Sequence, residues 1–274
     1  MAQSVCMSPL LLLAPRVTDD SVAVWQAALA AGWSTRRLAN WRVPAELIAT
    51  DREITIYAEP LFAEAIADQL EMALLEPPAN WLTVLPKALL RRDVGVMPLS
   101  EARKISTPAF VKPAEGKVFD ATVYRSGDSL PNVDQIGDIS VLTSTPVSFS
   151  LEVRCFVLEG QVVTMSPYWR NGSLARAEDG SWPFWESEEE GAVRFAASVL
   201  NAPEVSFPPA FVLDVGLMEY GWAVIEANPC WGAGLYGCDP SLVLQTGRYA
   251  IRRRREMNAG DMQWVTKRNS SGRP

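Results

Sequence analysis

The first third of the chain alternates apolar runs with stretches of helical periodicity. The apolar runs, each predicted to form a strand, are 9–14, 33–38 and 54–58. Helices are predicted over 21–31, with Ser21 as the N-cap, and over 61–75, where Pro60 suits the first turn. Because alternating strands and helices are typical of parallel sheets, residues 1–80 are predicted to form a small parallel α/β unit.

The pattern changes after residue 80. A helix is expected near 82–92, and a turn is expected through Gly95 and Pro98. We interpret residues 81–104 as a linker between the α/β unit and the rest of the chain.

Short β-rich runs dominate the rest of the chain. They lie at 110–112, 121–124, 140–142, 151–158 and 161–166. The pair Glu159-Gly160 is predicted to join the last two runs as a hairpin turn. Together these runs predict a second, largely antiparallel α+β domain over 81–268, and residues 269–274 are expected to form a frayed tail.

The most informative segment is a further predicted hairpin with strands at 211–217 and 222–228. A three-residue loop ending at Gly221 is favoured, since glycine readily adopts the left-handed conformation that such loops require. Met218 would then pair with Trp222.

This register has a chemical consequence. Asp214 lies opposite Glu226, and Asn228 lies on the same face because side chains alternate along a strand. The other face is apolar and consists of Leu213, Val215, Ile225 and Ala227. A two-residue loop would shift the register and separate the two carboxylates.

Two carboxylates within apolar strands need compensation. Burying each of them without a partner costs roughly several kcal/mol, so a cation is expected beside Asp214 and Glu226. Oxygen ligands from two carboxylates and the Asn228 amide suit Mg²⁺. The alternative is that Asp214 lies at a solvated strand edge and that Glu226 pairs with an arginine.

Composition excludes several classes of function. The 274 residues are 48% hydrophobic, which is sufficient for a substantial core. A formal net charge of −7 argues against a surface for long nucleic acids, and we interpret the arginine run 252–255 as a solvated helical end. The chain has no histidine, which excludes histidine-based triads and most catalytic zinc sites.

Cysteine usage and hydropathy indicate the compartment. Cys6, Cys155, Cys230 and Cys238 have no C-x-x-C spacing, so neither a disulfide framework nor a zinc site is expected. We therefore expect a reducing, cytoplasmic environment. The leucine run 10–13 is too short to span a bilayer, and no membrane partner is expected. The sequence indicates no particular oligomeric state.

The order of the later elements resembles the ATP-grasp superfamily, specifically a poorly characterised bacterial and phage-associated branch. The most specific piece is the motif Ile225-Glu226-Ala227-Asn228-Pro229, and the resemblance covers about residues 82–237. It implies an ATP-grasp fold, in which two α+β subdomains clasp ATP, after the small N-terminal α/β unit.

The resemblance also implies roles for individual residues. Lys87 and Lys112 would supply positive charge to the phosphates of ATP. Asp214, Glu226 and Asn228 would hold Mg²⁺ between the β- and γ-phosphates. For Lys87, a solvent-facing helical position is the alternative.

Further residues correspond to the loop, hinge and catalytic positions of the family. Lys117 follows Ala114-Glu115-Gly116, which resembles the mobile loop that covers the phosphates. The hinge residues, whose backbone would bind adenine, are Leu142, Thr143, Ser144 and Thr145. Arg154 and Lys112 would be the catalytic residues, with Arg154 on the phosphate or acyl phosphate and Glu152 orienting it or contacting substrate. A plain ion pair between Glu152 and Arg154 is the alternative.

One departure from the family concerns the residue after the motif. Many ATP-grasp enzymes carry an arginine where this chain has Cys230, so Arg154 is expected to supply that charge. The glycines that follow, Gly232, Gly234 and Gly237, fit a loop whose N–H groups could bind a substrate carboxylate or the transferred phosphoryl group.

The reaction implied by the resemblance is that of a ligase forming carbon–nitrogen bonds. ATP would phosphorylate a carboxylate on a small molecule or peptide, and an amine would attack the acyl phosphate, with release of ADP and phosphate. ATP and Mg²⁺ would be the cofactors. An ATP-binding module, or a kinase that stops at phosphoryl transfer, is the alternative.

Overall fold

The apolar run near the start of the chain is the middle strand of a parallel sheet. The computed structural model describes residues 7–265, so Cys6 and the predicted tail 269–274 lie outside the described residues. The strands are β1 (Leu10–Leu13), β2 (Ser34–Arg37), β3 (Ile54–Tyr57), β4 (Met72–Leu74), β5 (Val94–Pro98), β6 (Ala109–Pro113), β7 (Thr122–Tyr124), β8 (Ser140–Ser144), β9 (Leu151–Leu158), β10 (Gln161–Arg170), β11 (Ser173–Leu174), β12 (Ala210–Met218), β13 (Gly221–Asn228) and β14 (Ile251–Arg253).

Helices connect and cover these strands. They are α1 (Asp19–Ala30), α2 (Ala45–Ile48), α3 (Pro60–Gln69), α4 (Lys87–Leu90), α5 (Leu99–Ala102), α6 (Val133–Ile136), α7 (Glu186–Leu200), α8 (Pro240–Tyr249) and α9 (Ala259–Met262). Short 3-10 helices cover Trp81–Val84, Gly127–Ser129 and Arg254–Glu256. In the described part of the chain, none of the helices combines the length and the apolar character that crossing a bilayer requires.

The N-terminal unit is built on a parallel sheet of order β2-β1-β3, as predicted. Helix α1 packs on β1, and α3 and α8 pack on β3. The leucines of β1 are at most 3% exposed, which explains why the strand reads as a continuous apolar run rather than an alternating one.

Helix α1 begins before the predicted cap. Thr18 Oγ1 accepts a hydrogen bond from the Ser21 N–H at 3.1 Å, and Ser21 Oγ accepts one from the Thr18 N–H at 3.0 Å. In this reciprocal pattern Thr18 is the N-cap and Ser21 is the third helical residue. The prediction of Ser21 as the cap is therefore wrong.

The predicted helix over 61–75 is wrong beyond Gln69. Glu71 has a φ of 53°, a left-handed conformation that a continuing helix does not allow. The buried residues that follow form β4, which pairs antiparallel with β14 near the end of the chain. A partner so distant in sequence gives no local signal, so their apolar character reads equally well as helix.

The second sheet has four antiparallel strands in the order β5-β8-β6-β7. Its first strand contains the predicted turn: Gly95 pairs with Thr143, and Pro98 pairs with Ser140. The prediction of a turn and linker here is wrong because β5 is an edge strand, where proline is tolerated.

The third sheet has five antiparallel strands in the order β11-β10-β9-β12-β13. The turn between β9 and β10 is Glu159-Gly160, as predicted, and both residues have positive φ, at 49° and 77°. One face of the sheet packs against α7 through a core that includes Val153, Cys155, Leu213, Val215 and Val224. The opposite face carries the polar residues discussed below.

The N-terminal unit shares a hydrophobic core with the end of the chain. Phe156 and Trp231 pack in the same cluster as the leucines of β1. Trp231 is fully buried, its Nε1 donates to the Leu75 carbonyl at 3.2 Å, and its carbonyl accepts from the Ala58 N–H at 3.1 Å. The two predicted domains therefore meet at a packed interface.

The arginine run 252–255 belongs to this interface and is not a solvated helical end. Its members bind carboxylates or carbonyls instead of forming a patch. The partners are Asp261 for Arg252, the carbonyls of Thr50 and Arg52 for Arg253, Asp68 for Arg254, and Asp51 for Arg255.

Replacing Trp231 by alanine should lower the free energy of unfolding by about 3–5 kcal/mol, as truncation of a large buried side chain does. The same change at Trp41 should cost about 1 kcal/mol or less, since that side chain makes an edge contact with Phe62. Trp41 is 53% exposed. Guanidinium unfolding followed by circular dichroism measures both. Equal losses in the two variants would contradict the shared core.

Candidate functional site

The hairpin of β12 and β13 pairs Asp214 with Glu226, which confirms the predicted pairing. The register near the turn differs from the prediction, because Met218 pairs with Gly221. The loop therefore has two residues instead of three. By itself, this shorter loop would separate the two carboxylates.

A β-bulge restores the pairing. Val215 pairs with Val224, and the next pair is Asp214 with Glu226, so Ile225 is an extra residue on β13. Bulges of this kind insert one residue and shift the register by one from that point onward. The shift compensates for the residue that the loop lacks.

The bulge changes the face on which Ile225 lies. A Cβ added at Gly216 would approach Ile225 Cδ1 to 2.8 Å and would also collide with Phe149. Because Gly216 and Asp214 are two residues apart on β12, Ile225 lies on the polar face. The prediction that Ile225 shares the apolar face is wrong, and Val224 fills the core instead.

Asn228 joins the two carboxylates. Its Nδ2 donates to Asp214 Oδ2 at 3.0 Å and to Glu226 Oε1 at 2.9 Å. From β6 in the four-stranded sheet, Lys112 Nζ donates to Glu226 Oε2 at 2.6 Å. The structure therefore brings all four residues into one cluster, which spans the cleft between the two antiparallel sheets.

Arg154 on β9 binds the other carboxylate of the cluster. Its Nε and Nη2 donate to Asp214 Oδ1 and Oδ2 at 3.0 and 2.7 Å, and its Nη1 donates to the Gly234 carbonyl at 3.1 Å. The side chains of Arg154 and Asp214 are 9% and 0% exposed. The alternative is wrong in both parts, since Asp214 is not at a solvated edge and Glu226 pairs with Lys112.

The charges of the cluster are stabilised by their partners. Burial disfavours the charged form of Arg154, but Asp214 outweighs it and raises the pKa of Arg154. Burial also opposes ionisation of Glu226, yet Lys112 and Asn228 outweigh it, and the pKa of Glu226 lies below its ordinary value. Both side chains are therefore charged at neutral pH.

Glu152 faces the same cluster from β9 but does not pair with Arg154. Its Oε2 accepts a hydrogen bond from the Tyr168 hydroxyl at 2.5 Å. Burial raises the pKa of Glu152, and the negative charges of Asp214 and Glu226 add to this effect against the opposing Tyr168 hydrogen bond. The alternative of a plain ion pair between Glu152 and Arg154 is wrong.

Aromatic rings border the buried arginine. Tyr168 and Tyr236 stack with centroids 4.9 Å apart, and the Arg154 guanidinium lies 5.4 and 5.0 Å from their centroids. Trp182 packs edge-on against Tyr236 at 5.5 Å. Nothing in the local sequence identifies Tyr236, because its partners come from other segments of the chain.

The loop after the motif is bound by other parts of the protein. The Leu235 N–H donates to Asp20 Oδ2 at 3.2 Å, and the Gly237 N–H donates to Ser166 Oγ at 3.1 Å. These two N–H groups of the predicted donor loop are thus already satisfied. Burial raises the pKa of Asp20, against the opposing Leu235 hydrogen bond. Cys230 belongs to the core, where burial raises its pKa to about 12.

Two predicted phosphate ligands are exposed. Lys87 forms an ion pair with Asp93, and these side chains are 74% and 76% exposed. This position agrees with the solvent-facing alternative for Lys87. Lys117 is exposed in the segment between β6 and β7.

The predicted adenine contacts through 142–145 are wrong for most of that segment. Residues 142–144 lie in β8, where pairing with β5 on one side and β6 on the other engages their backbone groups. The Thr145 N–H donates to the Asp93 carbonyl at 3.0 Å. Residues 146–149, which connect the two antiparallel sheets, follow without strand pairing.

The donor set can be compared with the requirements of a hard cation. Within residues 7–265, no group of three or more His, Cys, Asp or Glu side chains has a metal-binding arrangement. Two carboxylates and an amide oxygen still provide suitable ligands. Glu226 is 30% exposed, whereas both oxygens of Asp214 already accept hydrogen bonds from Arg154 and Asn228. The set fits a cation held at Glu226 and Asn228, with Asp214 behind them.

Replacing Arg154 by methionine should lower the free energy of unfolding by about 3–5 kcal/mol, because it leaves Asp214 buried without its charge partner. Adding Asp214→Asn to this variant should recover part of the loss, since the amide carries no charge. Urea unfolding of the wild type, both single variants and the double variant tests this. Losses that simply add in the double variant would contradict the ion pair.

Replacing Glu152 by glutamine should stabilise the protein increasingly as the pH rises. The folded-state pKa of Glu152 is raised, so its charge destabilises the folded protein once the pH exceeds the unfolded value, and this penalty is complete above the folded value. Unfolding free energies measured from pH 4 to pH 8 test this. Glu226→Gln is the control with the opposite trend, because the pKa of Glu226 is lowered. A pH-independent difference between Glu152→Gln and the wild type would contradict the burial of this charge.

Solved structures with a similar fold include two ATP-grasp proteins. The chain aligns with a D-alanine–D-alanine ligase from Bacillus anthracis at a TM-score of 0.55 and 11% identity, over 88% of this chain and 97% of the other. It aligns with a RimK domain protein, described as ATP-grasp, from Sphaerobacter thermophilus at a TM-score of 0.52 and 14% identity, over 81% of this chain and 91% of the other. At these identities the likeness concerns the fold.

A family model gives the more specific match. The family is described as an ATP-grasp domain, family 2 of its clade, and the match spans residues 89–246, more than half of the chain. No curated protein matches the sequence. The matched residues contain the cluster formed by Lys112, Arg154, Asp214, Glu226 and Asn228. The chain therefore belongs to the ATP-grasp superfamily, as a member of this clade family.

Proposed function

We propose that the protein is an ATP-dependent carboxylate–amine ligase that works through an acyl phosphate, with ATP and Mg²⁺ as cofactors. The observation that carries this proposal is the 2.6 Å contact between Lys112 and Glu226. It joins a cation on one antiparallel sheet to a carboxylate and amide set on the other, in a chain of the ATP-grasp superfamily. A small-molecule or peptide carboxylate and an amine would be the substrates.

The cluster would exchange partners when the nucleotide binds. Lys112 would leave Glu226 for a phosphate oxygen, and Glu226 and Asn228, supported by Asp214, would be free to hold the metal ion. Bound Mg²⁺ would reduce the negative charge of the β- and γ-phosphates. The partial exposure of Lys112 and Glu226, 26% and 30%, supports this exchange, because a ligand can reach both.

The base of ATP would bind near the connection between the two sheets. Residues 146–149 lie outside the strand ladders, so their backbone groups are free to bind an adenine edge. Phe149 would supply an apolar surface for the ring. Lys87 and Lys117, both exposed, would approach the phosphates only after the cleft closes over the nucleotide.

Arg154 would stabilise the charge of the transferred phosphoryl group from the buried side of the cleft. Asp214 fixes the guanidinium in two hydrogen bonds, so little reorganisation is needed when charge develops. The rings of Tyr168 and Tyr236 would exclude water on this side. Glu152, held by Tyr168, would contact the substrate.

A chain without histidine can support this chemistry. Phosphoryl transfer to a carboxylate depends mainly on alignment and on neutralising charge. The residues required are cations and metal ligands, and the cluster supplies both. No protein general base is required for the phosphoryl-transfer step.

Calorimetric titration with ATP, in Mg²⁺ or in EDTA, tests the binding half of this proposal. Lys112→Met should weaken ATP binding about 10-fold or more in both conditions, because a charge-assisted contact to phosphate is lost. Glu226→Gln should reduce only the Mg²⁺-dependent gain in affinity. Lys104→Met removes an exposed lysine paired with Glu101 and should behave as wild type. Unchanged affinity in both Lys112→Met and Glu226→Gln would remove the site assignment.

ADP release in the presence of amino acids and peptides tests the chemical half. Hydroxylamine, added as the amine, should trap an acyl phosphate as a hydroxamate. Carboxylate-dependent ADP release with hydroxamate formation supports the ligase. A stable phosphorylated product would indicate a kinase, and ATP binding without ADP release across the panel would indicate a binding module.

A further inference from the structure

Arg92 lies buried between the two antiparallel sheets, with 8% of its surface exposed. Its Nη1 donates to the Val224 carbonyl at 2.6 Å, and its Nη2 donates to the Ile225 carbonyl at 2.9 Å. Its Nε donates to Ser144 Oγ at 3.1 Å, at the end of β8. A single guanidinium therefore connects the four-stranded sheet to two successive carbonyls of β13.

These two carbonyls belong to the bulge. In a regular antiparallel strand, successive carbonyls point to opposite sides, so one planar group cannot bind both. At a bulge the extra residue turns neighbouring peptide groups to the same side. Because β13 is the last strand of its sheet, the carbonyls of Val224 and Ile225 point away from β12, and Arg92 binds them there.

We propose that Arg92 fixes the bulge at Ile225 and thereby sets Glu226 opposite Asp214, which makes Arg92 a positioning residue of the nucleotide and metal site. The identity of what the site binds rests on the proposed function; the effect of Arg92 on the strand does not. Without the extra residue, the pair Val215 and Val224 would be followed by Asp214 and Ile225. Glu226 would then point to the opposite face of the sheet.

Two further residues complete the arrangement. The Arg92 guanidinium lies 5.8 Å from the centroid of the Phe149 ring, in the connection between the sheets. A side chain at Gly216 would collide with both Phe149 and Ile225. The absence of a side chain at Gly216 leaves room for Ile225 on the polar face, while Arg92 binds the backbone on the outer edge.

Lysine cannot replace this arginine. The planar guanidinium has donors spaced to reach two carbonyls and the Ser144 hydroxyl together, whereas an ammonium is a compact charge on a flexible chain. Arg91 provides a matched control: its exposed side chain donates through Nε to the Trp222 carbonyl at 2.8 Å, on the same strand but before the bulge.

Amide hydrogen exchange and ATP titration of Arg92→Met, Arg92→Lys and Arg91→Met test the proposal. In Arg92→Met, amides of 224–228 should exchange about 10-fold faster, and the Mg²⁺-dependent gain in ATP affinity should fall by about 10- to 100-fold, the range typical of residues that orient metal ligands. Arg92→Lys should show intermediate changes. Arg91→Met should match the wild type in both measurements over these residues.

Several outcomes would overturn the proposal. Wild-type exchange at 224–228 in Arg92→Met, or equal changes in Arg92→Met and Arg91→Met, would show that Arg92 does not fix the bulge. If Arg92→Met does not fold, wild-type behaviour of Arg92→Lys in both measurements would have the same meaning. If Mg²⁺ does not increase the ATP affinity of the wild type, the proposed function fails, and the exchange comparison still decides the role of Arg92.

Discussion

Asp214 and Glu226 face each other across β12 and β13 because one extra residue, Ile225, interrupts the pairing of these strands. The hairpin loop alone would have separated the two carboxylates. With the bulge, a single amide group on Asn228 reaches both of them, and Lys112 meets Glu226 from the opposite sheet. The polar face, the contact across the cleft and the choice of metal ligands all follow from this one irregularity.

The two carboxylates are neutralised in different ways. Asp214 is fully buried and held in two hydrogen bonds by Arg154, whose charge it stabilises in turn. Glu226 is partly exposed, and its cation comes from the other sheet. Removing either member of a buried pair is costly, whereas an accessible pair between two sheets can exchange its partners. The site thus consists of a fixed half at Asp214 and Arg154 and an exchangeable half at Glu226 and Lys112.

Much of this arrangement can be predicted from sequence because it depends on local patterns. Strands such as β1 and β9 follow from apolar runs bounded by turn residues, and the pairing of Asp214 with Glu226 follows from strand alternation near a glycine-containing turn. The predicted pairing was right although the predicted loop was wrong, because two deviations of one residue cancelled. Such a cancellation has no signature in the residues of the hairpin themselves.

The remainder depends on contacts between distant segments. The apolar residues of β4 form a strand only because β14 lies beside them, and β5 forms at an edge of a sheet despite its glycine and proline. Arg92 and Asp20 read as ordinary surface charges in the sequence, since their partners are far along the chain. The adenine contacts were predicted within β8 because the sequence does not show that this strand is central in its sheet.

The most direct test of the account is a crystal structure of the protein with Mg²⁺ and a non-hydrolysable ATP analogue. The account predicts a metal ion about 2.0–2.1 Å from oxygens of Glu226 and Asn228, with Lys112 displaced from Glu226 onto a phosphate. The Arg154 to Asp214 hydrogen bonds should remain in place. A nucleotide bound elsewhere, with the Lys112 to Glu226 contact intact, would contradict it.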